Sequence, residues 1–76
     1  MNAFVLINVR TGEVREVVRQ LRRIEGVREA TMTFGPYDAV AVVEAPDVGA
    51  LGRILYSGIQ PVPGVTQTLT CLAVEG

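Results

Sequence analysis

The sequence contains no histidine, no lysine and only one cysteine, Cys71, in 76 residues. Without histidine the chain lacks the commonest general base and the commonest switch of charge near neutral pH. One thiol cannot form an internal disulfide, and a zinc site usually needs several Cys or His ligands. We therefore expect no metal, no cofactor and no enzymatic activity, and a single free thiol fits a cytoplasmic protein.

Strong charge and long apolar runs are also missing. The net charge of −1 gives no electrostatic reason to expect a nucleic-acid partner. The apolar run over residues 3–9 is too short to span a membrane and lacks the flanks of a signal peptide. Hydrophobic residues nevertheless make up 49% of a chain near the lower size limit for a self-sufficient core. Either the core is unusually efficient, or other subunits cover apolar surface.

Four segments read as β-strands. Residues 3–9 and 39–45 are apolar at nearly every position, which indicates strands with two dry faces. Residues 27–34 alternate between apolar and polar, and residues 65–74 are rich in threonine and leucine, as strands often are. The turn at residues 35–38 separates two of these strands and contains glycine and proline, the usual turn residues.

Two helices fit between the strands. Thr11 is the predicted N-cap of the first helix, and Gly26 is placed to end it. Asp47 is the predicted N-cap of a second helix over about residues 48–57. The first helix carries one apolar stripe at helical spacing, formed by Val14, Val17, Val18, Leu21 and Ile24.

The resulting order β-α-β-β-α-β predicts an α+β fold of the ferredoxin-like type, with a four-stranded antiparallel sheet and two helices on one face. The first and third strands are central in this plait, and they are the two strands with dry faces on both sides. Because the helices cover only one face, the other would expose a larger apolar patch than monomers usually tolerate. A second copy of the sheet is the simplest cover, so we expect a sheet-to-sheet homodimer.

The ordered set of segments AFVLINV, IEGVREA, GPYDAVAVVEA, LGRIL and IQPVPGVTQTLT resembles the ligand-binding and oligomerisation (RAM) domain of the Lrp/AsnC transcriptional regulators. The resemblance covers all 76 residues and implies one domain over residues 1–76, without a helix-turn-helix and without direct DNA binding. It also implies dimers that assemble further into cyclic octamers or decamers. Implied partners are a small effector, typically an amino acid, and full-length Lrp/AsnC regulators.

The resemblance places the effector pocket between dimers, at the turn of residues 35–38 and on the last strand. Asp38 would accept hydrogen bonds from an α-amino group, and backbone N–H groups near Gly35 would donate to an α-carboxylate. The competing interpretation is local, with Gly35 shaping the turn and Asp38 binding nearby N–H groups. The implied ligand-binding residues are Gly35, Pro36, Tyr37 and Asp38, followed by Thr66, Gln67, Thr68 and Thr70.

Two other function classes share this pattern. An ACT-type amino-acid sensor has the same element order but pairs its sheets edge to edge. A small dimeric enzyme of the oxygenase or isomerase type would need a polar side chain on a central strand, and Asn8 is the only such candidate. Cys71 is expected to be a small buried apolar residue, and the arginines late in the first helix are expected to form a solvated face.

Overall fold

The strands that are apolar on both faces lie in the middle of a four-stranded antiparallel sheet. The computed structural model describes residues 1–74. The elements are β1 (Asn2–Val9), α1 (Val14–Leu21), β2 (Val27–Met32), β3 (Ala39–Glu44), α2 (Val48–Arg53), a π-helical segment (Ile54–Ile59) and β4 (Val65–Leu72). The strand order is β2-β3-β1-β4, so β1 and β3 are central and the predicted plait is confirmed.

The core lies between the sheet and the helices. The helix-facing side chains of β1 and β3 alternate with outward-facing ones, as the period of two requires. The predicted stripe of α1 packs onto them, with its middle residues buried and Val14 and Ile24 partly buried at its ends. The buried residues are Ala3, Val5, Ile7, Val9, Val17, Val18, Leu21, Ala30, Ala39, Ala41, Val43, Ala45, Leu51 and Ile59.

The helix starts differ in how well the sequence predicted them. Asp47 caps α2 as expected, because its Oδ1 accepts the Ala50 N–H at 2.8 Å. The Thr11 prediction is wrong: Glu13 occupies the cap position of α1, without a side-chain capping bond. The chain first turns through Gly12 at φ +87°, which moves the helix start beyond the reach of Thr11.

The end of α1 and the second helix also differ from the prediction. α1 ends at Leu21, and Gly26 instead leads into β2 at φ +96°. The second helix runs past residue 57 and widens over Ile54–Ile59, where the Gln60 N–H donates to the Leu55 carbonyl five residues earlier at 2.9 Å. This wider turn buries Ile59 and leaves Gln60 exposed beside the start of β4.

The sheet face away from the helices is apolar and uncovered in the single chain. Leu6 pairs with Val40 on one side and with Leu69 on the other, so their side chains form a row across three strands. Phe4 remains 46% exposed and Leu69 48% exposed. Cys71 is paired with Phe4 and is exposed, so the prediction of a buried thiol is wrong for this chain. We call this surface the open face, formed by Phe4, Leu6, Val40, Val42, Leu69 and Cys71.

Candidate functional site

Asp38 connects the turn between β2 and β3 to the end of β1. Its Oδ2 accepts the backbone N–H of Val9 at 2.7 Å, across 29 positions of sequence. Its own N–H donates to the Ile7 carbonyl at 2.9 Å. Because Val9 is buried, the carboxylate satisfies an N–H that has little access to water. The side chain therefore has a structural role, whatever else it binds.

The rest of the turn is held by its own polar groups. The Thr33 N–H donates to the Asp38 carbonyl at 3.0 Å, and the Thr33 hydroxyl donates to the Tyr37 carbonyl at 2.7 Å. Gly35 adopts φ +137°, a backbone conformation that other residues rarely adopt. Gly35 and Pro36 are exposed, whereas Tyr37 and Asp38 are half-buried. Within residues 1–74 the Gly35 N–H donates no hydrogen bond.

The start of β4 forms a shallow pocket of ≈ 340 Å³. Asn8 and Val9 of β1 pair with Gln67 and Val65, so Thr66 is an extra residue in β4 and makes a β-bulge. Gln60, which follows the π-helical segment, lines this pocket too, and among residues 1–74 every polar side chain that lines it is an uncharged hydroxyl or amide. The lining residues are Gln60, Val65, Thr66, Gln67 and Thr68.

The turn and the pocket lie at the same end of the sheet. Ile7 of β1 pairs with Ala39, just after the turn, and with Thr68, at the rim of the pocket. One strand separates the two features, which corresponds to roughly 10 Å across two strand spacings. Thr70 lies further along β4, opposite Val5, and is not part of the pocket.

The structure thus groups only some of the predicted site residues. Thr66, Gln67 and Thr68 line one pocket, and the turn residues stand nearby without lining it. Gln60 also lines the pocket but was not predicted. No sequence signal pointed to it, because its position depends on the wide π-helical turn that precedes it.

The possible metal ligands, Asn8 and the helices bear on other kinds of site. Among residues 1–74, no three Cys, Asp or Glu side chains lie close enough together to hold a metal ion. Asn8, the candidate for enzymatic chemistry, is half-buried and stands opposite Gln67. None of the helices within residues 1–74 has the length and hydropathy needed to cross a membrane.

Comparison with known sequences gives both a family and relatives. The model of the Lrp/AsnC ligand binding domain matches residues 2–76. An HTH-type transcriptional regulator of Pyrococcus horikoshii is 36% identical over 59 residues, which are 78% of this chain and 39% of that protein. A homocitrate synthase of Sulfolobus acidocaldarius is 39% identical over 77 residues, covering 97% of this chain and 16% of the enzyme. The chain therefore spans less than half of either relative.

Comparison with solved structures gives the same fold. The crystal structure of TTHA0845 from Thermus thermophilus matches with a TM-score of 0.93 and 36% identity, over 99% of this chain and 94% of that one. A transcriptional regulator of Neisseria meningitidis, solved as an L-Met complex, matches with a TM-score of 0.86 over 97% of this chain and 49% of that one. At 17% identity, the second likeness shows the fold alone.

Proposed function

The chain belongs to the Lrp/AsnC ligand-binding domain family, and from that premise we propose that it is a regulatory module that binds an amino acid and oligomerises. The observation that carries this proposal is the family match over residues 2–76. The Neisseria meningitidis regulator with the same fold was solved with L-Met, which supports an amino acid as the ligand class. On this proposal the module carries out no chemistry and acts through the partners it joins.

The ligand would bind at the end of the sheet that carries both the turn and the start of β4. The Asp38 carboxylate supplies a negative charge for an α-amino group, since Oδ1 stays available while Oδ2 binds Val9. The Gly35 N–H is a donor for an α-carboxylate. The Gln67 amide and the Thr66 and Thr68 hydroxyls would then contact the side chain of the ligand.

The open face would form the dimer interface. Phe4 and Leu69 on this face are about half exposed, and covering each of them contributes about 1 kcal/mol. This favours face-to-face pairing over the edge-to-edge pairing of an ACT-type sensor, which would leave the open face in water. Further assembly of dimers into a ring would then close each pocket from a neighbouring dimer. Co-assembly with full-length regulators would link ligand binding to transcription.

A second candidate function follows from the homocitrate synthase match. That match covers 97% of this chain but only 16% of the enzyme, so a domain of this type also occurs joined to a biosynthetic enzyme. The same module could then regulate an enzyme by association instead of a DNA-binding protein. The two candidates differ in the protein that would bind this chain, which is a helix-turn-helix regulator for the first and an enzyme for the second.

A thermal-shift screen over the amino acids, at one fixed protein concentration, tests ligand binding. A ligand that binds only the folded protein raises its melting temperature by mass action. If no amino acid moves the melting curve, the effector proposal is wrong and the chain serves assembly alone.

Titration calorimetry then tests the site, with Asp38→Asn as the informative variant. Asparagine keeps an acceptor for the Val9 N–H but removes the negative charge, so affinity for the amino acid should fall by about 1.5–3 kcal/mol. Asp47→Asn is the matched control, because it removes one carboxylate from a helix cap where asparagine serves equally well. Unchanged affinity in Asp38→Asn would show that this carboxylate does not contact the ligand.

A further inference from the structure

A groove with three arginines runs between α1 and the edge strand β2. Its volume is ≈ 410 Å³, and of residues 1–74 no acidic side chain lines it. It lies at the β2 edge of the sheet, whereas the pocket at the start of β4 lies at the other edge, and none of its lining residues has a part in the proposed function. The lining residues are Arg15, Val18, Arg19, Arg22, Thr31 and Met32.

The three guanidinium groups are presented in an orderly row. Arg15 and Arg19 stand one turn apart on α1 and Arg22 is its C-cap residue, so the i, i+4, i+7 spacing places all three on one side of the helix. The Arg22 Nε donates to the Ala30 carbonyl of β2 at 3.0 Å, which fixes this side chain across the groove and leaves its terminal N–H groups available. The row is therefore partly preorganised.

The charges in this row are poorly compensated within the chain. The Arg19 Nη1 lies 3.4 Å from the Glu16 Oε1, but both side chains are more than half exposed, and such a pair contributes little. Within residues 1–74, neither Arg15 nor Arg22 forms an ion pair. A chain with a net charge of −1 thus concentrates positive charge along one edge of its sheet.

The groove matches the spacing of carboxylates on an extended chain. Residues i and i+4 of a helix are separated by about 6 Å along its axis, and alternate residues of an extended strand by about 6.6 Å. Met32, which is 47% exposed at the same edge, adds an apolar contact. We propose that this groove is a docking site for an extended acidic segment of a partner protein, with carboxylates at alternate positions.

A second copy of the chain does not suit this surface. Symmetric pairing of two β2 edges would bring the same arginine row of each copy together, and like charges at close range oppose association. Nucleic acid suits it less well than an acidic peptide. Of residues 1–74, only three arginines line the groove, which is few for a continuous phosphate backbone, and the chain as a whole has a net charge of −1.

Fluorescence anisotropy with a labelled short peptide of alternating glutamate and valine tests this proposal on the full chain. The wild-type protein should bind the peptide, bind it less tightly as salt is added, and not bind a matched peptide of alternating lysine and valine. In the double variant Arg15→Gln/Arg19→Gln the affinity should fall at least about fivefold. Arg22 is left unchanged because its contact with Ala30 supports the fold.

The matched control is Arg23→Gln/Arg53→Gln, which removes the same charge from exposed positions outside the groove. It should bind the glutamate peptide within about twofold of wild type. Equal losses in the two double variants would show that only net charge matters and would overturn the proposal. Tighter binding of a random-sequence DNA duplex than of the peptide would also overturn it. The proposal would also be overturned if Arg15→Gln/Arg19→Gln formed larger assemblies than wild type but bound the peptide equally well. The arginines would then serve only to prevent the edge strand β2 from pairing with other copies of the chain.

Discussion

Replacing Asp38 by alanine tests the structural role of the turn most directly. The substitution removes the acceptor for the Val9 N–H, which lies 2.7 Å from Oδ2. A hydrogen bond to a charged group contributes about 1.5–3 kcal/mol, and the lower part of that range applies because Asp38 is only half-buried. The buried N–H of Val9 would then lack its partner at the point where β1 meets the bulge of β4.

We expect the free energy of unfolding of Asp38→Ala to fall by about 1.5–2 kcal/mol. For a domain of this size, each kcal/mol lowers the melting temperature by roughly 4–8 °C, so the loss should be roughly 6–16 °C. Asp38→Asn keeps an uncharged acceptor and should lose about half as much. Asp47→Asn should melt within about 2 °C of wild type, because asparagine also caps a helix.

The assay is thermal unfolding of the three variants and the wild type, without ligand and at matched protein concentration, since assembly makes the melting temperature depend on concentration. Urea unfolding of the same samples supplies the free energies. A melting temperature of Asp38→Ala within about 2 °C of wild type would refute the structural role of the carboxylate. An equal loss in Asp38→Asn and Asp38→Ala would show that charge, and not the hydrogen bond to Val9, is what the turn needs.

Three further tests, two of them with a control substitution, concern other parts of the structure. Gly26→Ala should lower the free energy of unfolding by about 2–5 kcal/mol, because φ is +96° and the new Cβ would overlap the Ile54 side chain. Its control Gly12→Ala places the new Cβ in open space and should lower the free energy of unfolding by only about 1–2 kcal/mol. Both values are measured by urea unfolding, and equal losses would contradict the packing argument. Asp47→Ala should cost about 1 kcal/mol by the same method, since it removes the cap of α2, and no loss would mean that the cap is dispensable. Leu69→Lys on the open face should shift the protein toward the 8.2 kDa monomer in sedimentation equilibrium. The exposed Val48→Lys on α2 should leave the mass unchanged, and a wild-type monomer at micromolar concentration would refute the dimer.

The sequence predicted the parts of the fold that depend on short-range periodicity. Residues 3–9 and 39–45 are apolar at successive positions, and β1 and β3 are indeed the two strands that have a neighbouring strand on each side. The stripe from Val14 to Ile24 packs on the sheet, and Asp47 caps the helix that follows it. Such features are visible in the sequence because each depends on neighbours within a few residues. The resemblance to the Lrp/AsnC domain also identified the family correctly.

The candidate site was predicted less completely. Thr66, Gln67 and Thr68 were named and do line one pocket, but Gln60 was missed because an α-helical period gives no sign of a π-helical turn. The burial expected for Cys71 was inferred from residue type, whereas its exposure follows from its place on an edge strand of the open face. The role of Thr11 as a cap was wrong because Gly12 adds a turn that the capping pattern does not encode.

The sequence by itself determined which stripe of the first helix packs on the sheet and which strands are central, since the helical spacing of apolar residues indicates the first and the apolar runs over residues 3–9 and 39–45 indicate the second. Only the tertiary structure decided which distant groups meet. Asp38 reaches Val9 across 29 positions, and Gln60 joins the Thr66 bulge only when the π-helical segment ends beside β4. The physical reason is the range of the interactions. Periodicity is a property of each segment alone, whereas these contacts depend on the register of paired strands and on how the helices pack across the sheet.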